Sequence, residues 1–294
     1  LEIINLSSYT EYEKLFIAKE HLIKLCLQDY KLTSDNIKFS DEIILKIIRN
    51  YTKEAGVREL DRVINKIIRR YVKDMLNKNL DTINTKVTDK KLEEYLGKLK
   101  YEDSSILDTP SYGVVNGLAY TKFGGEVLPI EVVTYESKEK FIATGNLGDV
   151  MMESAKIALG HIKSHAKDYK VDLEALDKVC IHINALDAAV PKDGPSAGCA
   201  LVTAIISSVT KRCVDKTYAM TGEISLTGKV LPIGGLKEKS IGAYRSGVKT
   251  IFIPKKNEHD VSDIPKEVKD NINIILVDDY KEIYDVIFKK SKKS

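Results

Sequence analysis

The hydrophobic period changes once along this chain, and that change limits the folds open to it. Up to about residue 100, apolar side chains recur every three to four residues, the spacing of one helix face. Leu15, Ala18, Leu22, Leu25 and Cys26 form one such stripe within 12–27. Ile43, Ile44, Ile47 and Ile48 form another after Ser40-Asp41-Glu42, and a third runs over 54–76 through Val57, Leu60, Ile64, Ile67, Ile68, Tyr71 and Met75. A short strand at Lys86-Val87 and a helix over 88–96, stopped by Gly97, complete an all-α bundle over 1–100. The stretch 101–112 (YEDSSILDTPSY) is polar, holds Pro110 and has no period, so it reads as a linker.

Beyond it, short apolar runs alternate with helical ones. Strands are expected at 114–121, 126–135, 141–144, 179–184, 219–224, 229–232, 250–253 and 272–277, with helices at 149–169, after residue 198, at 236–246 and at 280–288. The fold class is therefore an N-terminal all-α domain over 1–100, a linker over 101–112 and an α/β domain over 113–294.

Composition narrows the function classes. A chain of 294 residues with 43% hydrophobic and 30% charged side chains has material for two cores. A net charge of +3 gives no nucleic-acid footprint in bulk, which leaves weak nucleic-acid binding as the most that is expected there. The lysine-rich end, 289–294, reads as a solvated tail. Four cysteines without C-x-x-C spacing argue against a disulfide framework or a zinc site, so no metal is expected and a reducing compartment is. The longest apolar stretch, 197–209, is broken by Gly198, Ser207 and Ser208 and is too short to cross a bilayer. The chain starts without Met and without a signal-peptide pattern, which suggests a piece or processed form of a longer protein.

The chemistry concentrates in Lys192-Asp193-Gly194-Pro195-Ser196-Ala197-Gly198, which leads into the apolar run 199–206. Pro195 fixes its own φ and Gly194 permits backbone geometry that other residues resist. The turn thus presents the Ser196 hydroxyl at the start of a buried helix, whose free N–H groups can stabilise negative charge. Such a turn can be a nucleophile site, a phosphate cradle or a plain cap. The Walker order G-x-x-x-x-G-K-[ST] is absent.

A serine nucleophile needs a base. His161, His165 and His259 read as surface residues and His182 as a packed strand residue, which leaves the lysines of Gly234-Gly235-Leu236-Lys237-Glu238-Lys239. In the first turn of a helix, the dipole and burial both disfavour an ammonium. Lys239 shares its helical side with Gly235, Gly242, Ala243 and Ser246, a face that can lie close to another element; Lys237 shares the mixed side of Ser240, Ile241 and Tyr244 and reads as solvated. Lys239 is the chosen base.

Residues 191–198 (PKDGPSAG), followed by 220–239 (MTGEISLTGKVLPIGGLKEK), resemble the proteolytic domain of the Lon family of ATP-dependent proteases. The family's Ser-Lys dyad falls on Ser196 and Lys239. Residues 51–60 (YTKEAGVREL) are similar to the sensor-2 helix of the family's AAA+ small subdomain, where an arginine matching Arg58 reaches nucleotide phosphates. The resemblance implies an AAA+ small helical subdomain followed by a Lon-type proteolytic domain, and a serine endopeptidase that degrades unfolded or damaged proteins through an acyl-enzyme. It also implies a homohexamer, with ATP and Mg bound by the full-length protein. The chain has no Walker A or B motif, so no nucleotide is expected to bind this piece alone. The resemblance further implies that the Thr221 hydroxyl bonds the Lys239 amine and that Glu131 lies near the site. Asp193 is either a turn former or an electrostatic neighbour of Lys239. Residues 184–190 (NALDAAV) depart from the family's usual pattern. Gly198-Cys199 and 225–229 (SLTGK) look more like the mitochondrial branch, which implies the mitochondrial matrix, with the cytoplasm as the alternative. Two rival classes remain: a non-catalytic ring-assembly module, and a nucleotide- or nucleic-acid-binding module.

Overall fold

A computed structural model describes residues 9–77, 85–101, 111–121, 124–186 and 191–289. The chain divides into two compact units, 1–103 with 122–124, and 104–121 with 125–294. Most of the linker expected over 101–112 and of the tail beyond 289 lies outside the described residues.

In the first unit, a helix covers 11–29. Its segments Glu11–Ile17 and Ile23–Asp29 are joined by one wider π-type turn, Ala18–Leu22. Thr10 and Glu13 form a capping box at its start. Ser40 caps the helix Asp41–Tyr51, and Thr88 caps the helix Asp89–Leu96, which ends at Gly97 with φ 91°. Ile44, Ile47, Leu60, Ile64, Ile67, Ile68 and Tyr71 are buried among these helices, as the 3.6-residue stripes require. The third helix is Arg58–Asn77, four residues shorter at its start than the pattern implied. Glu54 is spent as a cap instead: its carboxylate accepts the N–H groups of Glu59 at 2.9 Å and Leu60 at 2.7 Å. Strand β1 (Ile37–Lys38), which the pattern did not show, pairs in parallel with β2 (Thr85–Lys86).

The second unit is built on a seven-stranded mixed sheet. Its strands are β3 (Val114–Thr121), β4 (Gly124–Glu136), β5 (Phe141–Thr144), β6 (Val179–Ala185), β7 (Tyr218–Met220), β10 (Thr250–Pro254) and β11 (Asn273–Val277), in the order β11-β10-β7-β3-β4-β6-β5. A separate hairpin joins β8 (Glu223–Ile224) to β9 (Val230–Leu231). β10 pairs in parallel with both β7 and β11. Such an inner strand is covered on both faces and reads as a continuous apolar run. Phe252 enters the core beneath the helices Asp149–Ser164 and Gly198–Thr210. Its neighbours Ile251 and Ile253 enter the opposite core, beneath the helix Leu236–Arg245. The alternation places the serine-bearing and lysine-bearing segments on opposite faces of one sheet.

Local departures from the expected pattern have local causes. The helix expected over 149–169 breaks at His165, which leaves the α region with φ −117° and ψ 22°. The strand expected over 219–224 is interrupted at Thr221-Gly222, where the Gly222 backbone groups turn from the sheet to Ser196 and Cys199. The helices Leu173–Lys178 and Lys266–Asn271 are too short to show a period. His161 is not a surface residue but is buried, bonded through Nδ1 to the Leu226 carbonyl at 3.1 Å and through Nε2 to the Tyr169 hydroxyl at 2.7 Å. His182, expected in the core, is half-buried and bonds the hydroxyls of Tyr135 and Thr144.

Candidate active site

Gly194, at φ 137°, ends the approach to the serine in a conformation that residues with a Cβ rarely adopt. Pro195–Ala197 then form a single 3-10 turn, and the helix Gly198–Thr210 follows, buried along most of its length. Ser196 is half-buried on that turn. Gly198 allows a close approach: a Cβ there would lie 2.8 Å from the Ile224 nitrogen. The β8–β9 hairpin can therefore press its backbone against the serine turn.

The lysine arrives from the other face. Gly235, at φ 70°, opens the helix Leu236–Arg245, and Lys239 sits one turn in at 3% exposure. Its Nζ lies 3.0 Å from Ser196 Oγ and 3.1 Å from Thr221 Oγ1. The small face of this helix meets the start of β4. A Cβ on Gly125 would lie 1.8 Å from the Glu238 carbonyl oxygen, and one on Gly242 would lie 2.4 Å from the Gly125 backbone.

Burial pushes the Lys239 pKa down from 10.5 to about 8. Among the described residues, its hydrogen-bond partners are the two hydroxyls, and no ion pair involves it. Thr221 is fully buried, and its hydroxyl donates to the Ser196 carbonyl at 3.3 Å. With its one proton committed there, Thr221 accepts from the lysine. An uncharged amine held by that bond has its lone pair free for the serine proton. Loss of the threonine hydroxyl in Thr221→Val is thus expected to lower kcat for peptide cleavage by roughly 10- to 100-fold, with KM within about twofold. Steady-state kinetics check this, and an unchanged kcat would refute the orienting role.

The interruption at Thr221-Gly222 ties these parts together. The Gly222 N–H donates to the Ser196 carbonyl at 2.8 Å, and the Gly222 carbonyl accepts the Cys199 N–H at 3.0 Å. The Thr221 N–H donates to the Phe252 carbonyl of β10 at 3.0 Å. One short segment thereby touches the serine turn, the lysine and the central sheet.

The other sequence-derived candidates make other contacts. Asp193 Oδ1 accepts the N–H of Gly194 and that of Met151, both at 3.1 Å. It therefore fastens the serine loop to the first turn of the helix Asp149–Ser164, the turn role of the two that were open. Glu131 is not on an edge strand. It sits on β4 between β3 and β6, half-buried, with the Asn184 side chain donating to its carboxylate at 3.4 Å, and no hydrogen bond to Ser196 or Lys239 is found among the described residues. Lys237 is half-buried rather than solvated and takes no part in the hydroxyl–amine cluster. Arg58 is exposed at the first position of its helix, in the other unit, without a hydrogen bond or ion pair among the described residues. Gly125 and Gly222 were not singled out by sequence. The doublet Gly124-Gly125 at the head of an apolar run was the available signal for the first.

Both units of the chain match known proteins. Residues 86–290 match the family described as the Lon protease (S16) C-terminal proteolytic domain, and residues 28–87 match the Lon protease AAA+ ATPase lid domain. The chain is 49% identical over 293 residues to the Lon protease of Mycoplasma mycoides, covering 100% of this chain and 37% of that protein. It is 49% identical over 288 residues to the Lon protease of Mycoplasma genitalium (98% and 36%) and 43% identical over 293 residues to Lon protease 1 of Bacillus subtilis (100% and 38%). It thus spans a little over a third of the length of these relatives. All three are bacterial, so the expected likeness to the mitochondrial branch finds no support: the short motifs that suggested it, Gly198-Cys199 and 225–229, are outweighed by identity over the whole chain. A helical lid followed by an α/β domain on a mixed sheet, with matches across both parts, makes the chain a member of the Lon protease family, carrying its AAA+ lid and its C-terminal proteolytic domain.

Proposed function

We propose that this chain is the peptide-cleaving part of an ATP-dependent serine endopeptidase that degrades unfolded or damaged proteins, with Ser196 as nucleophile and Lys239 as general base. The observation that carries the reading is the 3.0 Å approach of a buried, hydroxyl-bound amine to the Ser196 hydroxyl. The neutral Lys239 takes the serine proton while Oγ bonds to the peptide carbonyl carbon. The Ser196 N–H, in the turn ahead of the buried helix, stabilises the oxyanion. The ammonium then returns its proton to the leaving amine as the C–N bond breaks. Water, deprotonated by the same amine, releases the acyl group.

In the full-length protein, ATP with Mg supplies the work of unfolding and threading substrate. Arg58 is the residue of this chain that fits a nucleotide phosphate. Its guanidinium is exposed, whereas the nearby N–H groups of Glu59 and Leu60 are already taken by Glu54. A homohexamer, by likeness to the family, would let lid and proteolytic domains act as rings. A bacterial-type cytoplasm suits the four free cysteines, of which Cys213 is exposed.

The test uses a fluorophosphonate probe, which forms a covalent bond with an activated serine. With the full-length protein, the adduct is expected on Ser196 by mass spectrometry. The labelling rate is expected to rise with pH to half its maximum at about 8, because only the deprotonated amine is a base and burial has lowered its pKa to about 8. No adduct at Ser196, or a midpoint near that of a free lysine, would overturn the assignment.

A further inference from the structure

The helix that carries Lys239 is packed on β4, but the chain enters it through two glycines. Gly234 is exposed, with no heavy atom within 4 Å of where its Cβ would stand, and Gly235, at φ 70°, lies against the Tyr120 side chain. Two consecutive glycines leave a chain free to swing. Yet Lys239 must keep its amine within bonding distance of hydroxyls carried by a different segment. Something must fix the residue just before the glycines.

That residue is Ile233, and both of its backbone groups are bound by one side chain. The Asn257 carboxamide accepts the Ile233 N–H through Oδ1 at 3.0 Å and donates through Nδ2 to the Ile233 carbonyl at 2.8 Å. The second Nδ2 proton goes to Asp260 Oδ2 at 2.6 Å. These three bonds allow only one orientation of the amide. Asn257 is 4% exposed, so its polar atoms have little water to exchange for these partners. It ends the turn Lys255–Asn257 that follows β10 directly. The Phe252 carbonyl of the same strand receives the Thr221 N–H. β10 is thus the common frame for the hydroxyl that orients the amine and for the lead into the helix that carries it.

We propose that Asn257 is a positioning residue for Lys239: its carboxamide pins Ile233 to the end of β10 and thereby fixes where the lysine helix begins. The proposal rests on the Ser196–Lys239 reading above. Without the clamp the lead into the lysine helix loses its tie to the end of β10, the bonds from the amine to its hydroxyl partners lengthen, and water reaches it.

The same fluorophosphonate labelling of the full-length protein, followed over pH, tests this apart from mere loss of structure. Asn257→Ala and Asn257→Asp are expected to slow labelling of Ser196 at pH 8 by roughly 10-fold or more and to move the midpoint up by about one unit, toward that of a solvated lysine. KM for a peptide substrate is expected to stay within about twofold while kcat falls. Asp260→Ala, which spares the Ile233 bonds but frees the amide to rotate, is expected to shift the midpoint in the same direction by less. It serves as the measurement if the Asn257 variants do not fold. Ile264→Val, a loss of one methyl from the buried cluster on the same face, is expected to leave the midpoint in place. Wild-type protein that labels at Ser196 with a midpoint near 8, beside clamp variants whose midpoint does not move, would overturn the role of Asn257 and leave the dyad standing. A wild type that is not labelled at Ser196 would instead remove the dyad and this proposal with it.

Discussion

Ser196→Ala and Lys239→Met are each expected to abolish peptide cleavage by the full-length protein, lowering kcat by at least roughly 10³-fold, while ATP hydrolysis continues. They should differ in stability. Alanine at 196 removes one hydroxyl from a half-buried turn and should change the melting temperature little. Methionine at 239 should hold stability or raise it, by up to about 2 kcal/mol at pH 7. The reason is the cost of the wild-type amine. Its pKa is about 8 in the fold, against an ordinary 10.5. Below pH 8 the folded protein must carry a proton in a buried site, a cost the unfolded chain does not bear. Between about 8 and 10.5 the unfolded chain binds more protons than the folded one, so wild-type stability rises with pH and the advantage of methionine shrinks. Melting curves at pH 7 and pH 10 measure the difference. Arginine at 239 should be as inactive as methionine, because a guanidinium does not give up its proton. A tenth of wild-type cleavage surviving in any of these variants would defeat the dyad.

The second large effect is steric. Gly125→Ala is expected to cost about 3 kcal/mol of stability, a Tm loss of roughly 6–12 °C in a domain of this size. The added Cβ would lie 1.8 Å from the Glu238 carbonyl oxygen and 2.7 Å from the Lys239 nitrogen, both backbone atoms that no rotamer change can move aside. Relief requires β4 and the lysine helix to separate, which carries Lys239 away from Ser196. Cleavage should therefore fall even at temperatures where the protein remains folded. Gly234→Ala is the matched control, with nothing within 4 Å of its Cβ position and no positive φ. Its Tm should stay within a few degrees of wild type. An equal loss in both variants would show that backbone freedom, rather than the close approach, is what Gly125 provides.

Much of this arrangement was legible because it is written locally. The 3.6-residue stripes of the first unit and the alternation of the second follow from burying one face or two. The glycine-flanked turn and small-faced helix made Ser196 and Lys239 candidates before any coordinates. What escaped was decided by partners that the helical and strand repeats do not bring together. Glu54 sits in a good helical stretch yet caps the helix instead, because its carboxylate reaches two N–H groups ahead of it. His161 falls on the buried side of its helix with Ser154, Ala158 and Ile162, and tyrosines and a loop carbonyl enclose its ring. Nothing in the neighbours of Asn257 reveals that its amide reads the backbone of a residue 24 positions earlier. Thr221-Gly222 has a strand-like pattern, yet the strand stops there because the Gly222 backbone bonds to Ser196 and Cys199, neither of them close in sequence.

That interruption also sets how the enzyme should fail. Thr221 bonds the amine and Gly222 bonds the backbone of the serine, so the proposed nucleophile and base are both tied to two adjacent residues. Because both groups are bonded to adjacent residues of one segment that is itself tied to β10, nucleophile and base are disturbed together when the segment leaves the sheet. Warming should therefore leave the chemical step following a single straight Arrhenius line almost to the melting point, then lose it at once with the sheet rather than wearing it away by degrees.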